Sequence, residues 1–137
     1  MGTPSKIFKR ILVLDDEPLV ANAVRMVLAL QGYEVKVAHR GKEALSLLEQ
    51  TVFDLVITDY SMPEMMGDEL ALHVKARWPE LPVIMLTAFA ENIRNSPNIA
   101  VCVDAVIGKP FDMVELRLTV ARLIASRSFP EQSGELR

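Results

Sequence analysis

Residues 11–18 read Ile11-Leu12-Val13-Leu14-Asp15-Asp16-Glu17-Pro18, "ILVLDDEP". Four apolar residues run straight into three carboxylates and a proline. A short uninterrupted apolar run is the pattern of a strand buried on both faces, as in a parallel sheet. At Pro18 the period changes. Val20, Ala23, Val24, Val27 and Leu28 fall on one helical face, and Gly32 follows as a stop. Proline suits a first helical turn, because its missing N–H has no partner there.

The alternation continues outward. Residues 34–38 ("EVKVA"), 54–58 ("DLVIT"), 82–86 ("PVIML") and 105–107 read as further strands. Residues 41–50, 67–77 and 112–126 read as helices, the last with Asp112 as a candidate cap. Residues 90–100 begin like a helix, but Asn95-Ser96-Pro97-Asn98 should break it or cut it short. This order predicts an α/β fold, a five-stranded parallel sheet with helices on both faces. Residues 1–8 read as an N-terminal extension, 9–127 as one domain and 128–137 as a flexible polar tail.

The totals narrow the classes. The chain has 137 residues, half of them hydrophobic, with a net charge of −3. That balance gives no reason to expect nucleic acid or an anionic membrane. No window approaches the roughly 20 apolar residues that span a bilayer. A single cysteine, Cys102, excludes an internal disulfide and suits a cytoplasmic setting.

Sites in open parallel sheets gather outside the carboxyl ends of the strands. Those ends carry Asp15 and Asp16, Asp59, Thr87 and Ala88, and Lys109 and Pro110. Two carboxylates about 5 Å apart repel by roughly 3 kcal/mol at an effective dielectric of about 20. A divalent cation relieves that repulsion, and hard oxygen ligands favour Mg²⁺ over zinc. Mg²⁺ keeps open positions for a phosphate oxygen, Lys109 offers a point charge to a second, and the Thr87 hydroxyl can donate to a third. Such groups fit phosphoryl transfer, with a carboxylate as nucleophile.

Four segments in order, "LVLDDEP", "DLVITDYSMPEMMG", "VIMLTA" and "GKPF", resemble the receiver domain of bacterial two-component response regulators. The resemblance spans residues 9–127 and implies a flavodoxin-like (βα)5 fold with strand order 2-1-3-4-5. It implies that Asp59 accepts a phosphoryl group from a sensor histidine kinase or a histidine phosphotransfer protein. Asp16, Asp59 and the Ser61 backbone carbonyl would hold Mg²⁺, with Asp15 acting through a water. Thr87, the Ala88 backbone and Lys109 would bind the phosphoryl group, and the bond before Pro110 would be cis. The chain would then be a signalling switch acting on an output partner, as a stand-alone or excised receiver. It would be no enzyme beyond its own phosphotransfer and dephosphorylation. Direct DNA binding is not expected, and a homodimer is an option.

The chain departs from the family pattern at Val106, in the fourth helix interrupted near Pro97, and at Cys102-Val103, where the family usually has Gly-Ala. Val106 stands where the family usually has an aromatic residue, three before the lysine, and Phe89 stands two after Thr87. Phe89 is therefore the candidate to replace the missing ring at the switch and output surface.

Other functions call for other residues. A Mg²⁺-dependent aspartyl phosphohydrolase of the haloacid dehalogenase type needs a second acid two residues after the nucleophile, where this chain has Ser61. A flavin mononucleotide carrier needs a Ser/Thr/Gly-rich phosphate loop where this chain has "DDEP". A pseudo-receiver that only docks has no need of the intact Asp15, Asp16, Asp59, Thr87 and Lys109, but Val106 keeps it as the alternative reading. Taken singly, Asp15 and Asp16 could be helix caps and Lys109 a surface lysine; their joint placement favours a site. His39 and His73 lack partners at zinc spacing. Cys102 reads as a small buried hydrophobe, Trp78 as packing at a helix end, Met62, Met65 and Met66 as loop packing, and Gly41 and Gly67 as helix starts.

Overall fold

The computed structural model describes residues 8–127. The proposed N-terminal extension, apart from Phe8, and the proposed tail at 128–137 lie outside the described residues. The elements run β1 (Arg10–Leu14), α1 (Pro18–Ala29), β2 (Glu34–Ala38), α2 (Gly41–Gln50), β3 (Leu55–Asp59) and α3 (Gly67–Arg77). They continue with β4 (Val83–Thr87), α4 (Ala90–Arg94), α5 (Pro97–Ala100), β5 (Ala105–Gly108) and α6 (Met113–Arg127). The sheet is parallel, in the order β2-β1-β3-β4-β5.

The period of two explains why the strands read as unbroken apolar runs. Ile11, Val13, Leu55, Ile57, Ile84 and Leu86 point to one face, where Ala21, Val24 and Leu28 of α1 and Leu116, Val120 and Leu123 of α6 cover them. Leu12, Leu14, Val56 and Val83 point to the other, under Ala44 and Leu48 of α2 and Leu70, Ala71 and Val74 of α3. Truncating one such large side chain to Ala would cost about 2–5 kcal/mol.

Local signals set the helix ends. Pro18 is the first residue of α1, and Gly32, at φ +94°, reverses the chain after it. The Asp112 carboxylate accepts from the backbone N–H of Val114 (2.8 Å) and Glu115 (3.0 Å), capping α6. The expected break at Pro97 is present: one helix becomes two short ones, α4 and α5, with Pro97 opening the second. Cys102 is buried, and its thiol donates to the Asn98 carbonyl at 3.3 Å. Trp78 ends α3, with the Arg77 guanidinium 5.0 Å from its ring centre. No helix among the described residues is long and apolar enough to cross a membrane.

Candidate functional site

The carboxyl ends of β3, β4 and β5 meet the turn after β1 at a cleft of about 260 Å³. Asp59, the last residue of β3, lines it with Ser61. Thr87, the last residue of β4, lines it with Ala88 and Phe89. Lys109 follows β5, and its backbone N–H donates to the Thr87 carbonyl at 2.9 Å, continuing the ladder into the site.

The Lys109 ammonium is the hub. Its Nζ lies 3.0 Å from Asp15 Oδ2 and 3.4 Å from both Asp59 Oδ1 and Glu17 Oε1. Asp15 is also tied from two other directions. Its Oδ1 accepts from the Glu17 N–H at 2.9 Å, and its carbonyl faces His39 Nδ1 at 3.0 Å. A carbonyl only accepts, so that ring nitrogen carries the proton. Asp59 Oδ1 accepts from the Tyr60 N–H at 2.8 Å. The buried Thr87 hydroxyl accepts from the Phe89 N–H at 3.0 Å, which engages a lone pair and not the hydroxyl proton.

Electrostatics follow from this packing. Burial pushes the Asp59 carboxyl up from its ordinary 3.8, and Asp15 adds to the push. Lys109 and the Tyr60 N–H pull it down without cancelling the rise. For Lys109, burial works to lower the value, but the hydrogen bond and charge of Asp15, with Asp59 behind them, outweigh it and raise it above 10.5. Three carboxylates share one ammonium, so the cluster keeps an excess of negative charge. One oxygen from each of Asp15, Glu17 and Asp59 lies within 4.8 Å of the others. All are hard donors, the chemistry that suits Mg²⁺.

Most of the residues singled out from the sequence meet here; Asp16 lines the cleft without an ion pair to Lys109, and Val106 lies outside the lining. Asp16 is exposed on the cleft wall, and Glu17 takes the convergent position beside Asp15 and Asp59. Val106 is half-buried in β5, away from the cleft lining, with its carbonyl accepting from Arg94 Nη2 at 3.0 Å. Phe89 lines the cleft and is 52% exposed. The Lys109–Pro110 peptide is cis. Neither Asp15 nor Asp16 caps α1: the N-cap is Glu17, without a side-chain capping bond.

Three contributors were missed. Glu17 was visible as the third acid of "DDE" but was given no role. Zinc spacing is blind to the role of His39, whose ring meets a backbone carbonyl and no metal partner. The sequence pattern shows Gly67 only as a helix start. A Cβ on Gly67 would overlap the Asp59 carbonyl oxygen and crowd Tyr60 Cα, and its N–H donates to the Tyr60 carbonyl at 2.7 Å. The available signal was a glycine inside the helical segment, which disfavours a helix and so asks for another reason. Between Asp59 and Gly67, Glu64 sits at φ +73° and the Pro63 carbonyl accepts from the Met65 N–H at 2.8 Å, a tight turn.

The family model for the response regulator receiver domain matches residues 11–121. The regulatory protein AtoC of Escherichia coli is 37% identical over 129 residues, covering 93% of this chain and 28% of that protein. The response regulator MprA of Mycobacterium bovis is 32% identical over 126 residues, covering 92% of this chain and 54% of that protein. The chain thus spans about half or less of these curated relatives. Among solved structures, the response regulator TrrA of Thermotoga maritima, in complex with Mg²⁺-BeF, superposes with TM-score 0.79 at 34% identity, over 85% of this chain and 99% of that one. The chemotaxis response regulator CheY4 of Vibrio cholerae gives TM-score 0.77 at 30% identity, over 85% and 98%.

Proposed function

The chain belongs to the response regulator receiver domain family, and from that premise we propose that it is a signalling switch phosphorylated on Asp59. The observation that carries the reading is the Lys109 ammonium held between the Asp15 and Asp59 carboxylates at the carboxyl edge of the sheet.

In the proposed reaction an Asp59 oxygen attacks the phosphorus of a phosphohistidine. The new P–O bond makes an acyl phosphate, the P–N bond breaks, and the imidazole nitrogen leaves with the electron pair. Asp16, Asp59 and the Ser61 carbonyl would hold Mg²⁺, with Asp15 behind a water. Asp16 would then turn in from the cleft wall. When bound, the ion supplies charge neutralisation for the carboxylates and the phosphoryl oxygens. Lys109 exchanges its carboxylate partners for a phosphoryl oxygen. Thr87 gives its unused hydroxyl proton to another, and the Ala88 backbone lies within the same cleft. The donor is a sensor histidine kinase or a histidine phosphotransfer protein, in the cytoplasm.

The switch needs a bistable element. Moving a population from 1:99 to 99:1 takes about 5.5 kcal/mol of differential stabilisation. A phosphoryl group brings nearly two negative charges and three acceptors to Lys109 and Thr87. Movement of Thr87 is coupled to Phe89 through their hydrogen bond, so α4 and its neighbourhood are the proposed moving part. Phe89 takes the ring's role that Val106 lacks. Phe89→Ala is expected to alter uptake kinetics or partner binding, and unchanged values for both would remove Phe89 from the switch.

The test is intact-protein mass after incubation with acetyl phosphate or phosphoramidate and Mg²⁺. One phosphoryl adduct on the wild type, absent without Mg²⁺ and absent in Asp59→Ala, is the expected result. No adduct from either donor overturns the reading and leaves a docking module.

A further inference from the structure

Glu17 is the one acid of the cluster that reaches Lys109 from the outside. Its side chain is 63% exposed, against 3% for Asp15 and 8% for Asp59. The contact joins the turn after β1 to the turn after β5, 92 residues away. Glu17 does not need its carboxylate to hold its place. Its N–H is on Asp15 Oδ1, its carbonyl accepts from the Ala21 N–H at 3.0 Å, and its side chain makes no capping bond. It lines the same cleft as Asp59, so a donor reaching Asp59 through that cleft passes the exposed Glu17 charge.

We propose that Glu17 is a specificity-determining positioning residue, which holds Lys109 in the resting site and repels small phosphodonors in proportion to their negative charge. The proposal rests on the reading of Asp59 as phosphoacceptor. Lys109 has to leave its carboxylate partners before it can meet a phosphoryl oxygen, and Glu17 is the exposed one of the three. A negative charge at the mouth opposes a dianion more than a monoanion, and salt screens an exposed charge. With acetyl phosphate, the dianion, Asp59 gains the phosphoryl group and acetate leaves with the P–O electron pair. With the phosphoramidate monoanion, the nitrogen already carries the proton, and ammonia leaves with the P–N pair.

The experiment compares the full chain with its Glu17→Gln and Glu17→Lys variants. Mg²⁺ dissociation constants come first, from calorimetric titration, so that each form is run at saturating Mg²⁺. Uptake rates are then followed by intact mass with each donor at low and high ionic strength. Glu17→Gln is expected to accept from acetyl phosphate roughly threefold faster at low salt. The gain should be smaller with phosphoramidate, should shrink as salt rises, and should be larger in Glu17→Lys. Equal rates and equal salt slopes in the wild type and both variants overturn the role of Glu17 while leaving Asp59 as acceptor. Slower uptake in Glu17→Gln at saturating Mg²⁺ also overturns it, because Glu17 would then be aiding the transfer. No uptake by the wild type from either donor overturns the Asp59 reading, and this inference with it.

Discussion

Two lysines face aspartates at opposite edges of the same sheet. At the amino edge, Asp104 Oδ2 accepts from Lys75 Nζ at 2.7 Å and from the Val83 N–H at 2.8 Å. Lys75 Nζ also donates to the Leu81 carbonyl at 2.8 Å. One cation meets one anion, and the remaining bonds fasten the start of β4. Asp54 acts in kind beside β1, accepting from the Arg10 N–H at 2.8 Å. At the carboxyl edge one ammonium is divided among three carboxylates, at 3.0–3.4 Å. The same two residue types thus make a fastening where charges match and a poised site where acids outnumber the cation. On the proposed reading, the mismatch leaves work for a divalent ion and an incoming phosphoryl group; the matched pair leaves none.

Removing one member from each cluster sharpens the contrast. Asp104→Ala strands the Lys75 ammonium and the Val83 N–H, and is expected to cost about 3 kcal/mol in denaturant unfolding. Mg²⁺ should not restore that loss, and phosphoryl uptake by the folded variant should stay at the wild-type rate. Lys109→Met is expected to cost about 2 kcal/mol without metal, because it leaves Asp15 and Asp59 facing each other. There Mg²⁺ should restore most of the stability, since the ion binds the folded cluster and not the unfolded chain. Equal rescue of both variants, or of neither, would break the distinction. The alkaline limb carries the same signature. The Lys109 value is raised in the folded state, so its contribution is complete below the ordinary 10.5 and is lost as pH climbs through the raised value.

The matched cluster was nearly invisible in the sequence, and the mismatched one was not. Asp59 and Thr87 end strands and Asp15 and Lys109 directly follow them, and strands are legible from unbroken apolar runs such as Ile11–Leu14. A parallel topology then carries all those ends to one rim, so local reading sufficed. Lys75 and Asp104 meet through the packing of α3 against the loop before β5, which no period announces. Gly67 shows the same limit: its spacing opened a helix correctly, but only the approach of α3 to the Asp59 carbonyl shows why a side chain is excluded. Asp16 and Glu17 divide differently, since their adjacency settles that both leave β1 but not which carboxylate turns towards Lys109.

The smallest expected effect concerns the sign of one charge. Burial first, and Asp15 second, hold the Asp59 carboxyl above its ordinary 3.8. The folded chain therefore keeps this proton to higher pH than the unfolded chain does. Between 3.8 and the raised value the folded state binds more protons, so stability falls as pH rises through that window. Above the window the full penalty of an ionised Asp59 is present; below 3.8 it is absent. Asn carries no charge at any pH. Asp59→Asn, without metal, is expected to melt a few degrees above the wild type at neutral pH, and the gain should vanish below the ordinary carboxylate value. Mg²⁺ should narrow the gap by stabilising the wild type more than the variant. Asp104→Asn should move the other way, losing stability at neutral pH, because its charge is matched by Lys75. Thermal melts of both variants across pH, with and without Mg²⁺, check the two signs together. A carboxylate whose removal stabilises the resting fold is one kept for its reactivity, and a destabilised Asp59→Asn would place Asp59 with the fastenings instead.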